Sequence, residues 1–112
     1  MDNRTDRNII DFILSSAKNN KRVLKAFLFG SYAKNTNKSD SDIDIALVID
    51  NLDDDEKFDY QVQLLLLASK FDTRIEPHPI SNKDLETNNP FVVEILKTGI
   101  EISLNTPYIK SD

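Results

Sequence analysis

The chain of 112 residues contains no cysteine, no tryptophan and only two glycines. Without cysteine there is no disulfide framework and no thiolate metal centre. Any metal must be held by oxygen or imidazole. No apolar run approaches the roughly 20 residues of a membrane span. The first twenty residues carry Asp2, Arg4, Asp6, Arg7 and Asp11 where a secretion signal would be apolar. A cytoplasmic protein with no membrane role is therefore expected. The net charge of −5 opposes binding to a polyanion. Two modest basic clusters exist, Lys18-Lys21-Arg22-Lys25 and Lys34-Lys38. Neither is a nucleic-acid footprint, so direct nucleic-acid binding is not expected. The second is placed where it could meet the phosphates of a nucleotide.

The apolar pattern predicts a single α/β (α+β) domain over residues 1–104, with residues 105–112 as a flexible C-terminal tail. Ile9, Ile10, Ile13, Leu14 and Ala17 recur at helical spacing within 6–19. Val23 to Phe29 reads as a buried strand, and Gly30-Ser31 opens a turn and a short helix. Asp42 to Ile49 reads as a strand buried on both faces, with Ile43, Ile45, Leu47 and Ile49 on one side. Asp42, Asp44, Ala46 and Val48 share the other. The acidic stretch 50–56 starts a helix over 57–70, with Phe58, Val62, Leu65, Leu66 and Ser69 as its main stripe and Leu64, Leu67 and Phe71 widening it. Core packing is the expected reason for that stripe, and an interface is the alternative. Residues 73–80 form a third strand, limited by Pro77 and Pro79 to an edge or a one-sided ladder. Ser81 caps a short helix over 82–86, Asn89-Pro90 starts another over 91–98, Gly99 ends it, and Ile100, Ile102 and Leu104 close the chain as a strand. A small mixed β-sheet of three or four strands, packed by helices on one main side, follows.

Two features of this layout carry chemistry. A glycine after an apolar strand lets backbone approach a ligand, and N–H groups at a following helix start can hold phosphate. Gly30 and Ser31 fit that description. Ten residues later come Asp42 and Asp44, two apart on a strand, so that their carboxylates share a face. Two such carboxylates repel unless a cation lies between them, and Mg²⁺ is the natural choice when phosphates complete its shell. Neighbouring strands bring the two features to one end of the sheet.

The run Leu28-Phe29-Gly30-Ser31-Tyr32-Ala33-Lys34, the ten-residue spacing, and Ser41-Asp42-Ile43-Asp44 together resemble the minimal nucleotidyltransferases of the DNA polymerase beta superfamily. The resemblance extends along nearly the whole chain. It implies a Mg²⁺-dependent transfer of a nucleoside monophosphate, with ATP as the default substrate. Asp42, Asp44 and a third carboxylate would act as catalytic and metal-holding residues, and Gly30 and Ser31 would hold the nucleotide. The third carboxylate matches Glu76, with Asp72 the alternative. His78, the only histidine, shares a strand face with Glu76 and is read as structural. Asn35 stands where the family usually has a second glycine, and asparagine tolerates a left-handed backbone. The resemblance also implies a partner. Such domains are often antitoxins that transfer AMP to a tyrosine of an all-helical HEPN-domain toxin. A non-catalytic nucleotide- or partner-binding module and a small-molecule nucleotidyltransferase are the competing readings.

Overall fold

A computed structural model describes residues 3–104. The expected C-terminal tail over 105–112 lies outside the described residues. Helix α1 (Asn3–Asn19) is followed by strand β1 (Val23–Phe29), the single-turn helix α2 (Gly30–Ala33) and strand β2 (Ile43–Ile49). Helix α3 (Asp54–Ala68) leads to strand β3 (Ile75–Ser81), a short 3-10 helix (Asn82–Glu86), helix α4 (Pro90–Thr98) and strand β4 (Ile100–Ile102). The four strands form one mixed sheet in the order β3-β2-β1-β4. β1 is antiparallel to both β2 and β4, while β2 and β3 are parallel.

The central strand β2 is the apolar spine. Ile43 and the run from Ile45 to Ile49 are fully buried. Strand alternation sends Ile43, Ile45, Leu47 and Ile49 into a core shared with Ile9, Phe12 and Ile13 of α1 and Leu64 and Ala68 of α3. Ala46 and Val48 point the other way, into a smaller core with Phe27, Ile80 and Ile95. The sheet is therefore covered on both faces, by α1 and α3 on one and by α4 with the 3-10 helix on the other. The expectation of helices on one main side captured only the larger of these two cores.

Strand β1 contains an irregularity. Its pairing with β2 slips between Val23 and Lys25. Val23 consequently joins the same core as Ala26 and Leu28, three and five residues on, which simple alternation would not allow. Pro77 and Pro79 sit on edge strand β3, where a missing amide costs no ladder bond on the solvent side.

The caps behave as their residue types dictate. Ser81 Oγ accepts from the Lys83 amide, and Asn89 Oδ1 accepts from the Phe91 and Val92 amides with Pro90 in the first turn. Helix α3 starts earlier than the sequence suggests, because Asp54, Asp55 and Glu56 form its acidic first turn. Gly99 has an ordinary φ of −77°. Its need is for space: a β-carbon there would collide with the Ile95 carbonyl oxygen and crowd that of Leu28.

The expected main stripe of α3 is not its core face. Tyr60, Leu64, Leu67, Ala68 and Phe71 pack inward. Phe58 is 75% exposed and Leu66 64%, and Val62 and Leu65 also face outward. Four consecutive leucines, residues 64–67, put apolar bulk on every side of the helix, so periodicity alone could not choose the buried side.

Candidate active site

The C-terminal end of β1 and the N-terminal ends of β2 and β3 meet at one end of the sheet. Phe29 pairs with Asp44 across the antiparallel ladder, and Asp44 pairs with Glu76 across the parallel one. Strand alternation points Asp44 and Glu76 toward the α4 face, together with His78. One oxygen or nitrogen of each of these three side chains lies within 4.8 Å of the others. His78 Nε2 is 3.1 Å from Asp44 Oδ1 and 3.6 Å from Glu76 Oε1.

Gly30 completes this corner. Its φ of +73° is left-handed, and a β-carbon there would run into Asp44 Oδ2. Only glycine offers both the conformation and the space. Ser31 follows it as the second residue of the short helix that Gly30 opens. Asn35, with φ 61°, is left-handed where the resemblance calls for a second glycine.

Partial burial raises the pKa of Glu76. His78 pulls it down, while hydrogen bonding to Asp44 and the charges of Asp44 and Asp42 push it up. Mutual repulsion among three carboxylates is the crowding that a cation would relieve. The donor set of carboxylate oxygens beside a glycine-lined turn fits a hard divalent ion with phosphate ligands.

Of the residues expected from sequence, Asp44 and Glu76 are brought together and Gly30 packs against Asp44, with Ser31 next to it in the chain. Asp42 lies one residue before β2, is exposed, and acts on Glu76 through its charge. It is not one of the three side chains in the close group. Asp72, the alternative third carboxylate, is engaged elsewhere. Its Oδ2 accepts from Arg74 Nη2 at 2.7 Å, and Asn8 also donates to it. The Arg74 guanidinium holds the Asp72 carboxyl down at about 2. Arg74 further donates to the Tyr32 hydroxyl, the Ser39 carbonyl and Thr5 Oγ1, tying the loop before β2 to α1. Lys34 leans toward Glu94 of α4 at 3.6 Å.

The approach of His78 to Asp44 was not evident from sequence. The signal was its two-residue spacing from Glu76. The aromatic walls that hold its ring, Phe29 at 5.1 Å and Phe91 at 5.9 Å between centroids, come from β1 and α4 and have no local signature. A cavity of about 190 Å³ lies between α1 and α3, near Ser16, Asn20, Tyr60 and Leu64. It is lined by none of the carboxylates.

Residues 11–107 match the family described as Polymerase beta, Nucleotidyltransferase. The chain belongs to this nucleotidyltransferase family. No curated relative matches it in sequence. Among solved structures, a candidate nucleotidyltransferase from Sulfolobus solfataricus is 16% identical, with a TM-score of 0.61 over 85% of this chain and 76% of that one. A toxin–antitoxin complex with AMP-PNP is 25% identical, with a TM-score of 0.56 over 88% and 71%. A mutant of the toxin–antitoxin MntA-HpeT is 21% identical, with a TM-score of 0.56 over 82% and 70%. The nucleotidyltransferase fold of the chain is thus shown by both its sequence and its backbone. Among the described residues, no helix is long and apolar enough to cross a membrane.

Proposed function

We propose that this nucleotidyltransferase-family domain moves AMP from ATP onto a hydroxyl of a partner HEPN-domain toxin and so acts as its antitoxin. The observation that carries the reading is the register pairing of Asp44 with Glu76 at the Gly30 turn. Asp42, Asp44 and Glu76 hold Mg²⁺, and Gly30 and Ser31 receive the triphosphate. The bound metal supplies charge neutralisation and orientation at the phosphates. The acceptor oxygen bonds to the α-phosphorus, and the bond from that phosphorus to pyrophosphate breaks. Glu76, half-exposed and raised in pKa, takes the acceptor's proton. Positioning supplies most of the rate.

The adenine nucleotide is supported by AMP-PNP, an ATP analogue, in the complex that is 25% identical. A protein partner is supported by the toxin–antitoxin neighbours and by the outward face of α3 at Phe58, Val62, Leu65 and Leu66. The test is incubation with labelled ATP, Mg²⁺ and a candidate HEPN-domain toxin. Label should pass to the partner, and Asp44→Ala or Asp42→Ala should abolish the transfer while leaving the fold intact. Partner binding with no label transfer would favour a binding module instead. Undiminished transfer by Asp44→Ala would refute the site.

A further inference from the structure

We propose that Asp44, Glu76 and His78 form a binding site for a borderline divalent transition ion of the Zn²⁺ class, with the imidazole as its selecting ligand and no nucleotide required. This deepens the reading of Asp44 and Glu76 as metal-holding groups and rests on it.

The geometry is that of ligands around one ion. At metal–ligand lengths of ~2.0–2.1 Å, neighbouring ligand atoms lie ~3 to 3.5 Å apart. His78 Nε2 stands 3.1 Å from Asp44 Oδ1 and 3.6 Å from Glu76 Oε1, and one ligand atom of each residue lies within 4.8 Å of the others. The ring is held rather than loose. Phe29 meets it edge-on and Phe91 flanks it at a tilt. Its register partner on β2 is Ala46, whose methyl leaves room for the imidazole to lean toward Asp44. The His78 side chain stays 26% exposed, so an ion can enter from solvent.

The donor chemistry then decides the metal. Carboxylate oxygens alone suit Mg²⁺, whereas adding imidazole nitrogen favours Zn²⁺, Co²⁺ and their neighbours. The neutral ring with its Nε2 lone pair free is the binding form. Two carboxylates and one imidazole leave coordination positions for water or phosphate.

His78 is the sole histidine, so tag-free protein reports the site directly through its imidazole NMR signals. Zn²⁺ added without nucleotide should shift those signals to a one-to-one endpoint, and Mg²⁺ at equal concentration should not. His78→Gln should weaken Zn²⁺ binding by at least about tenfold, the scale on which single supporting groups of metal sites act. Imidazole signals indifferent to Zn²⁺, or Zn²⁺ binding undiminished in a folded His78→Gln, would overturn the proposal. Because Mg²⁺-supported AMP transfer is measured separately, loss of one result does not mimic loss of the other.

Discussion

Replacing Gly30 by alanine separates two roles that one residue fills. The left-handed backbone at φ +73° costs an L-residue about 1–2 kcal/mol. For a domain of this size that corresponds to a fall in Tm of roughly 4–9 °C. The collision with Asp44 adds little to this, because the atom struck is the tip of a side chain that can rotate away. Its functional consequence is larger. A rotated Asp44 leaves His78 and Glu76, and misplacement by about 1 Å can cost on the order of 100-fold in rate. Gly30→Asn distinguishes the two effects. Asparagine already occupies left-handed positions in this chain at Asn35 and Asn51, so it should recover much of the lost stability. Its β-carbon still meets Asp44, so activity should stay low. Thermal denaturation followed by circular dichroism, together with label transfer from ATP, reads both quantities. Wild-type activity in Gly30→Asn would refute the steric argument, and a wild-type Tm in Gly30→Ala would refute the backbone argument.

Asp72, with its side chain only 9% exposed, is held at about 2 by Arg74 against a usual 3.8. A lowered carboxyl stabilises the fold above its unfolded pKa and loses that contribution as pH falls through the folded one. About 2 kcal/mol should therefore be present above pH ~4 and vanish toward pH ~2. Asp72→Asn should lower urea-unfolding stability at neutral pH by that order and flatten its dependence over this range; an unchanged acid profile would remove Asp72 from the account. On α3, the double change Phe58→Ser with Leu66→Ser should leave Tm within a few degrees, since both side chains are mostly exposed. It should weaken association with the toxin that accepts the label, and undisturbed association would place the contact elsewhere.

The strongest sequence signals were local. Val23 to Phe29 and Asn82 to Glu86 were readable to the residue, because a short apolar run and a serine cap act within a few positions. The spacing from Gly30-Ser31 to Asp42 and Asp44 pointed to the family through residues just after β1 and at the start of β2. The pleat told which face of β2 would be apolar on both sides beyond Asp44, and the two cores use it so. The edge place of β3 followed from two prolines that lack amide donors.

What remained undecided depended on partners distant in the chain. Whether Glu76 or Asp72 would face Asp44 turned on the parallel register of β2 with β3, and on Arg74, which engages Asp72. The buried side of α3 could not be chosen from a helix with leucine on every side; the sheet chose it. The nearness of His78 to Asp44 needed Phe29 from β1 and Phe91 from α4 to set the ring. Sequence thus determined which residues could form strands, turns and ion-holding pairs, since those properties belong to a residue and its near neighbours. Tertiary structure alone decided which of them meet, because register and packing are settled between segments that no short-range pattern connects.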